Sequence, residues 1–179
     1  MFKNVPLDGF YHLIGHGSCV LVTSGKGKKI NVAPIAWNMP VNDEPPLLAI
    51  AVAETHYTAE LIKETGEFVV NVPNEELLKS LMICGKVSGR KENKFKKAKL
   101  TPVTGKKVKA PLIKECIGYL ECRVVDAVTY DGVVVFVGSV LACGARKELY
   151  DGYWITEKAK TVHHLGSSFF ALTGKRFKV

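Results

Sequence analysis

Two long strand-like segments, Cys116 to Tyr130 and Val133 to Cys143, flank the dipeptide Asp131-Gly132. Asp and Gly tolerate the positive φ that a tight hairpin turn requires, so this arrangement predicts two long antiparallel strands joined by a short turn. No other feature constrains the fold as strongly. Upstream, Cys19-Val20-Leu21-Val22-Thr23-Ser24, a Gly-Lys-Gly-Lys-Lys turn and the segment Ile30 to Asn38 predict a hairpin or meander. Leu47 to Ala53, a short continuous apolar run after the Pro-ended turn Asn42 to Pro46, predicts a buried strand.

Helices are few. Ala59, Leu61, Ile62 and Glu64 follow the polar cluster Thr55-His56-Tyr57-Thr58 with helical spacing and stop at Gly66, which predicts a helix over 57–65. Glu67 to Val72 is β-rich and ends at Pro73. Glu75 to Cys84 predicts an amphipathic helix with Leu77, Leu78, Leu81 and Met82 inward. Gly85 to Lys109 is polar, basic and Gly-containing, and predicts loop with one short helical turn. The expected class is therefore mainly β, an antiparallel β-barrel with helices, in a single domain over residues 1–179.

With 179 residues, 47% hydrophobic and 23% charged, the chain can bury a real core, which excludes a disordered tail, a collagen-like rod or a disulfide miniprotein. Twenty-five Lys and Arg against seventeen Asp and Glu give a formal charge of +8, suited to phosphates, nucleotides, nucleic acid or lipid head groups. Cys19, Cys84, Cys116, Cys122 and Cys143 are odd in number and contain no C-x-x-C pair. They are expected as small buried hydrophobes in a reducing cytoplasm, not as a disulfide framework or zinc ribbon. Met1 to Pro6 lacks a signal-peptide pattern, and no apolar run reaches the roughly 18 residues of a membrane span, so the expectation is a soluble protein without membrane association.

No P-loop, Rossmann glycine fingerprint, H-E-x-x-H or nucleophile elbow is present. His163 and His164 are adjacent and in a strand would face opposite sides, so they could not both ligate one metal. What remains is a series of small and polar residues at strand ends: Asn31 to Asn38, Thr55 to Thr58, Asn71, and Ser88-Gly89-Arg90. Ala33, Pro34 and Ala36 leave main-chain polar groups open to a planar, amide-rich ligand. The helix start after Thr55 offers unpaired amides, hydroxyls and the positive end of a macrodipole to a phosphate, and Arg90, Lys91 and Lys94 add positive charge. Each feature also has an ordinary structural use: capping for Thr55 and Thr58, core packing for Trp37, a solvated face for Arg90 to Lys97.

The sequence resembles the flavin reductase-like, FMN-binding split-barrel family, especially its flavoredoxin-like branch. The likeness is carried by Asn31-x-Ala33-Pro34-x-x-Trp37-Asn38, by Pro45-Pro46, by the run from His56-Tyr57-Thr58 to Val72-Pro73, and by Ser88-Gly89-Arg90-x-x-x-Lys94-Phe95. Pro111-Leu112-Ile113 and Leu120-Glu121-Cys122-Arg123-Val124 extend it, so that it runs from about Gly15 to about Gly144. The resemblance implies a Greek-key split barrel forming a homodimer with FMN near the subunit interface. Asn31, Ala33, Pro34, Ile35, Ala36, Trp37 and Asn38 would line the isoalloxazine, and His56, Tyr57 and Thr58 would receive the phosphate. Asn71, Ser88, Arg90, Lys94 and Phe95 would complete the site. His164, in His164-Leu165-Gly166, would lie where a nicotinamide stacks.

Hydride transfer between a nicotinamide and a flavin needs no protein nucleophile, so no catalytic side chain is assigned and no metal is expected. The expected function is an NAD(P)H-dependent flavin or ferric reductase passing electrons through FMN to a flavin, metal-chelate or protein acceptor. The alternative in the same fold is a flavoredoxin-type carrier reduced by a redox partner protein. A third reading, a nucleic-acid-binding β-barrel, rests on the basic stretch Lys86 to Lys109, where aromatic residues are not interleaved as a stacking platform requires.

Overall fold

The computed structural model describes residues 2–179. After a 3₁₀ turn at Leu7–Leu13, β1 (Val20–Lys26) and β2 (Lys29–Ile35) form an antiparallel hairpin turning at Gly27, whose positive φ of 59° suits glycine. A second hairpin joins β3 (Asn38–Asn42) to β4 (Leu47–Ala53). Helix α1 (Tyr57–Thr65) ends at the left-handed Gly66, as its sequence predicts, and leads to β5 (Glu67–Val72). Then follow α2 (Leu78–Lys86), the single turn α3 (Lys94–Lys97), and the two-residue strands β6 (Pro102–Val103) and β7 (Leu112–Ile113). The long hairpin is β8 (Gly118–Tyr130) and β9 (Val133–Ala145), turning at Asp131 and Gly132, both with positive φ. A short α4 (Thr156–Ala159) and the hairpin of β10 (Val162–Gly166) and β11 (Phe169–Leu172) complete the chain.

Seven strands make one antiparallel sheet in the order β2-β1-β5-β8-β9-β4-β3. Its two edge strands, β2 and β3, are consecutive in sequence and separated only by Ala36 and Trp37, so the sheet curls back on itself. The result is a split barrel. The segment Ile30 to Asn38, expected as one strand, instead turns a corner at Ala36-Trp37 because β2 pairs with β1 and β3 pairs with β4. Trp37 holds the corner through its carbonyl, which accepts from Ala51 N at 2.9 Å. Inside the barrel, Val20, Val22, Ile50, Phe68 and Phe136 pack against Ala59 and Ile62 of α1, which closes one end.

Residues 75–117 lie as a layer on the outer faces of β2, β1 and β5. Leu21 and Val32 point outward and pack with Leu77, Leu81, Cys84, Phe95, Leu100 and Ile113, while Val69 packs with Val108 and Ala110. Polar groups fasten this layer. Thr23 donates to the Pro111 carbonyl, and Asn71 accepts from Ile113 N at 2.8 Å while donating to Leu21 O at 3.0 Å. Four cysteines are buried and Cys143 is exposed; burial pushes the Cys84 thiol up to about 11 and those of Cys19 and Cys122 to about 12. No described helix is long and apolar enough to cross a membrane.

Glu121, fully buried on β8, accepts from the backbone N–H groups of Lys106 (3.0 Å), Lys107 (2.6 Å) and Val108 (3.0 Å). Burial raises its pKa, but the three amides together outweigh it and hold the carboxyl below its ordinary value. A depressed folded pKa means that this stabilisation is complete above the unfolded-state pKa of about 4.3 and is lost as pH falls through the folded value. Glu121→Gln puts an amide NH₂ among three donors and should cost about 1–3 kcal/mol in urea denaturation at neutral pH. The gap between variant and wild type should narrow below about pH 4.

Candidate functional site

Two adjoining chambers open beside the Ala36-Trp37 corner and share Pro34, His56, Gly85 and Lys86. One holds about 560 Å³ and the other about 420 Å³, within the size range of small-molecule sites. The larger chamber is mostly apolar. Ala36, Ala51 and Ala53 present small side chains to it, and Trp37, Leu81 and Met82 frame it. Tyr11, His12, His164 and Phe170 supply its outer wall from the 3₁₀ turn and the β10–β11 hairpin. Trp37 is half exposed and meets Tyr11 edge-on at 5.8 Å, and His164 lies 5.0 Å from Phe170.

The smaller chamber gathers hydrogen-bond donors and positive charge. It sits at the N-terminus of α1, which no side chain caps, and the Tyr57 and Thr58 amides make no hydrogen bond among the described residues. Thr58 Oγ1 accepts from Asn31 Nδ2 at 2.9 Å, while Asn31 Oδ1 has no partner although Asn31 is only 2% exposed. Such a buried acceptor calls for a donor. Lys94, at the start of α3, is 8% exposed and donates to the Cys84 carbonyl at 2.7 Å. It has no carboxylate partner among the described residues, and burial pushes its ammonium below the usual lysine range, opposed in part by the Cys84 thiolate form. A desolvated ammonium with one acceptor is a donor suited to an anion.

Arg90 braces this chamber at its exposed rim. Its guanidinium reaches Glu60 Oε2 at 2.6 Å and the Thr55 carbonyl at 2.9 Å, and lies 5.3 Å from the centre of the Tyr57 ring. Gly89 is required by contact: a Cβ there would fall 2.1 Å from Asn31 Oδ1 and 3.1 Å from Tyr57 Cδ1.

Of the residues singled out in the sequence, Asn31, Ala33, Tyr57, Thr58, Ser88, Arg90 and Lys94 line the smaller chamber. Ile35, Ala36, Trp37 and His164 line the larger one, and Pro34 and His56 touch both. Three do not reach either. Asn38 spans the corner, donating to Ser18 O at 2.8 Å and Ile35 O at 3.1 Å. Asn71 is consumed in fastening the outer layer, and Phe95 is buried in the core of that layer. The two adjacent histidines divide as alternation requires: His164 faces the groove, whereas His163 Nδ1–H donates to His16 O at 2.7 Å.

Residues 14–163 match the model of the flavin reductase like domain. The chain belongs to the flavin reductase-like family. An uncharacterized protein of Archaeoglobus fulgidus is 42% identical over 159 residues, covering 88% of this chain and 89% of that one. Among solved structures, the flavoredoxin of Methanosarcina acetivorans superposes with a TM-score of 0.88 at 28% identity, covering 100% of this chain and 95% of its own. Nitrilotriacetate monooxygenase component B of Bacillus cereus superposes with a TM-score of 0.86 at 25% identity, covering 100% and 98%. Both solved neighbours thus share the whole architecture of this flavin reductase-like chain.

Several further residues complete the walls. Ala51 and Ala53 alternate with Ile50 and Val52 along β4, a signal that one face carries only small side chains where a flat ligand could approach. Met82 and Gly85 carry a similar signal on α2, three apart on one helix face. Tyr11 and His12 carried none, since their approach depends on how the N-terminal segment folds back. No cluster of three or more metal-ligating side chains occurs among the described residues.

The Lys94 geometry gives a direct expectation. Inorganic phosphate should raise the melting temperature relative to chloride at matched ionic strength, because an anion bound only by the folded state stabilises it. Lys94→Met should abolish that rise without lowering the melting temperature in chloride, since the variant no longer buries an uncompensated charge.

Proposed function

We propose that this chain is an FMN-binding oxidoreductase that carries electrons from NAD(P)H through FMN to a flavin, metal-chelate or protein acceptor. The observation that carries this reading is the join between the two chambers: a buried, anion-seeking Lys94 beside free helix amides, continuous with an apolar slot walled by alanines. That is the shape and charge of a flat ring system with a phosphate tail. Family membership and the flavoredoxin likeness support it. When bound, FMN supplies the hydride- and electron-accepting chemistry that no side chain here provides.

In this reading Lys94, the Tyr57 and Thr58 amides, the Thr58 hydroxyl and Ser88 hold the phosphate, while Arg90 fixes the helix start that presents them. Asn31 Oδ1 receives a donor of the ligand. Ala36, Ala51 and Ala53 let the ring approach the main chain, and Trp37 limits it on one side. His164, Phe170, Tyr11 and His12 form the outer wall against which a nicotinamide stacks. Exposed apolar residues on β3 and the far half of β8, including Met39, Val41, Val125 and Val128, favour a homodimer that covers them. Free buried thiols accord with a reducing cytoplasm.

A second reading, a flavoredoxin-type carrier reduced by a protein donor, is favoured by the full-length likeness to the Methanosarcina acetivorans flavoredoxin. The purified protein distinguishes the two. It should bind FMN at micromolar concentration, with the visible spectrum of an oxidised flavin; anaerobic NADH or NADPH should bleach it in the reductase and leave it yellow in the carrier. A preparation that refuses FMN contradicts both. Thr58→Ala should weaken FMN by about 1–2 kcal/mol in a fluorescence titration, the scale of a charge-assisted hydrogen bond. Gly89→Ala should weaken it at least as much by displacing Asn31, and unchanged affinity in both variants would take the phosphate out of this chamber.

A further inference from the structure

The positive charge of this chain is concentrated in one segment. Residues 86–114 carry eleven Lys and Arg and a single acidic residue, Glu92, whereas the remainder carries fourteen basic and sixteen acidic side chains. The whole formal excess therefore resides in the layer that covers the outer faces of β2, β1 and β5. Of the eleven cations in residues 86–114 only Lys94 is buried; the other ten are exposed. Arg90 pairs with Glu60 and Lys97 with Glu92, and the remaining eight make no ion pair among the described residues. The layer is pinned to the barrel by Glu121, Asn71 and Thr23, so these charges are displayed on a fixed surface. Lys86 belongs both to this surface and to the two chambers, which makes the basic face continuous with the mouth of the groove.

From this we infer that the 86–114 face is a docking surface for an acidic electron-carrier protein, placed to bring that carrier's redox centre to the groove. The inference rests on the flavin reading of the groove and names the partner of that site. A one-sided field of this kind raises the encounter rate with an oppositely charged partner and does so without a large interface, which suits short-lived electron-transfer contacts. Each docked carrier is oxidised by one electron. Two such encounters, with two protons from solvent, deliver what one hydride donor and one proton deliver to the ring. Nucleic acid is the less suited occupant, because the one aromatic residue of the segment, Phe95, is only 4% exposed and no base could stack on it.

The probe is a recombinant ferredoxin of strongly acidic composition. Its binding to the protein is followed by titration calorimetry with and without FMN, and its electron transfer to the FMN-loaded protein by stopped flow. The triple variant Lys91→Glu/Lys96→Glu/Lys107→Glu changes only exposed, unpaired side chains outside both chambers. Binding and transfer should each fall about tenfold or more in this variant, and comparably when salt is raised, while FMN affinity and reduction by dithionite stay unchanged. Because binding is read without flavin as well, failure of the protein to take up FMN would undo the flavin reading and leave the surface test intact. Ferredoxin binding that ignores both salt and the triple variant would overturn the inference. So would tight binding of a single-stranded oligonucleotide that the same variant abolishes while ferredoxin shows none.

Discussion

Only Ala36 and Trp37 separate the two strands that form opposite edges of the seven-stranded sheet, and this short tether governs the rest of the architecture. An antiparallel sheet whose first and last strands are chain neighbours must curl until its edges almost meet. The curl creates an interior for Phe68, Phe136 and the apolar side of α1. It also leaves a corner where main chain passes from one edge to the other with little side-chain bulk. Pro34, Ile35, Ala36 and Trp37 at that corner all line the larger chamber, so the feature that closes the barrel also positions the groove.

Two buried charges, Glu121 on β8 beneath the outer layer and Lys94 within that layer, are met differently by the fold. Glu121 receives three backbone N–H groups and is satisfied by the fold alone. Lys94 receives one carbonyl, opens onto the smaller chamber and faces no carboxylate among the described residues. Burial opposes the charged form of both, yet only Glu121 has that cost offset within the protein. A partly satisfied buried ammonium persists where a ligand completes it, which is why Lys94 points to an anion more firmly than the exposed lysines around it.

Local chemistry made much of this legible in the sequence. Asp131-Gly132, the helix from Tyr57 to Gly66 and the short turn after Gly85 each rest on residues whose backbone preferences decide their structure without distant partners. The groove was legible where small residues and a helix start coincide, at Ala33 to Trp37 and Tyr57-Thr58. Asn31 and Asn71 looked alike as polar residues within apolar strands. They diverge because Asn31 faces α1 and the chamber, while Asn71 faces outward under the layer and meets the Ile113 amide. That difference depends on a segment some forty residues downstream of Asn71, and no local pattern contains it. Asn38 and Phe95, expected at the site, lie outside both chambers for the same reason, and the wall supplied by Tyr11 and His12 has no local signal: their partners are set by tertiary packing.

The central claim is that the buried ammonium and the α1 amides receive the phosphate of a flavin whose ring lies along the alanine-walled slot. A crystal structure of the protein with FMN tests it most directly. The account predicts phosphate oxygens within hydrogen-bonding distance of Lys94 Nζ and the Thr58 amide, with the ring beside Ala51, Ala53 and Trp37. FMN bound with its phosphate in solvent or at another face, leaving Lys94 with the Cys84 carbonyl as its sole partner, would contradict it.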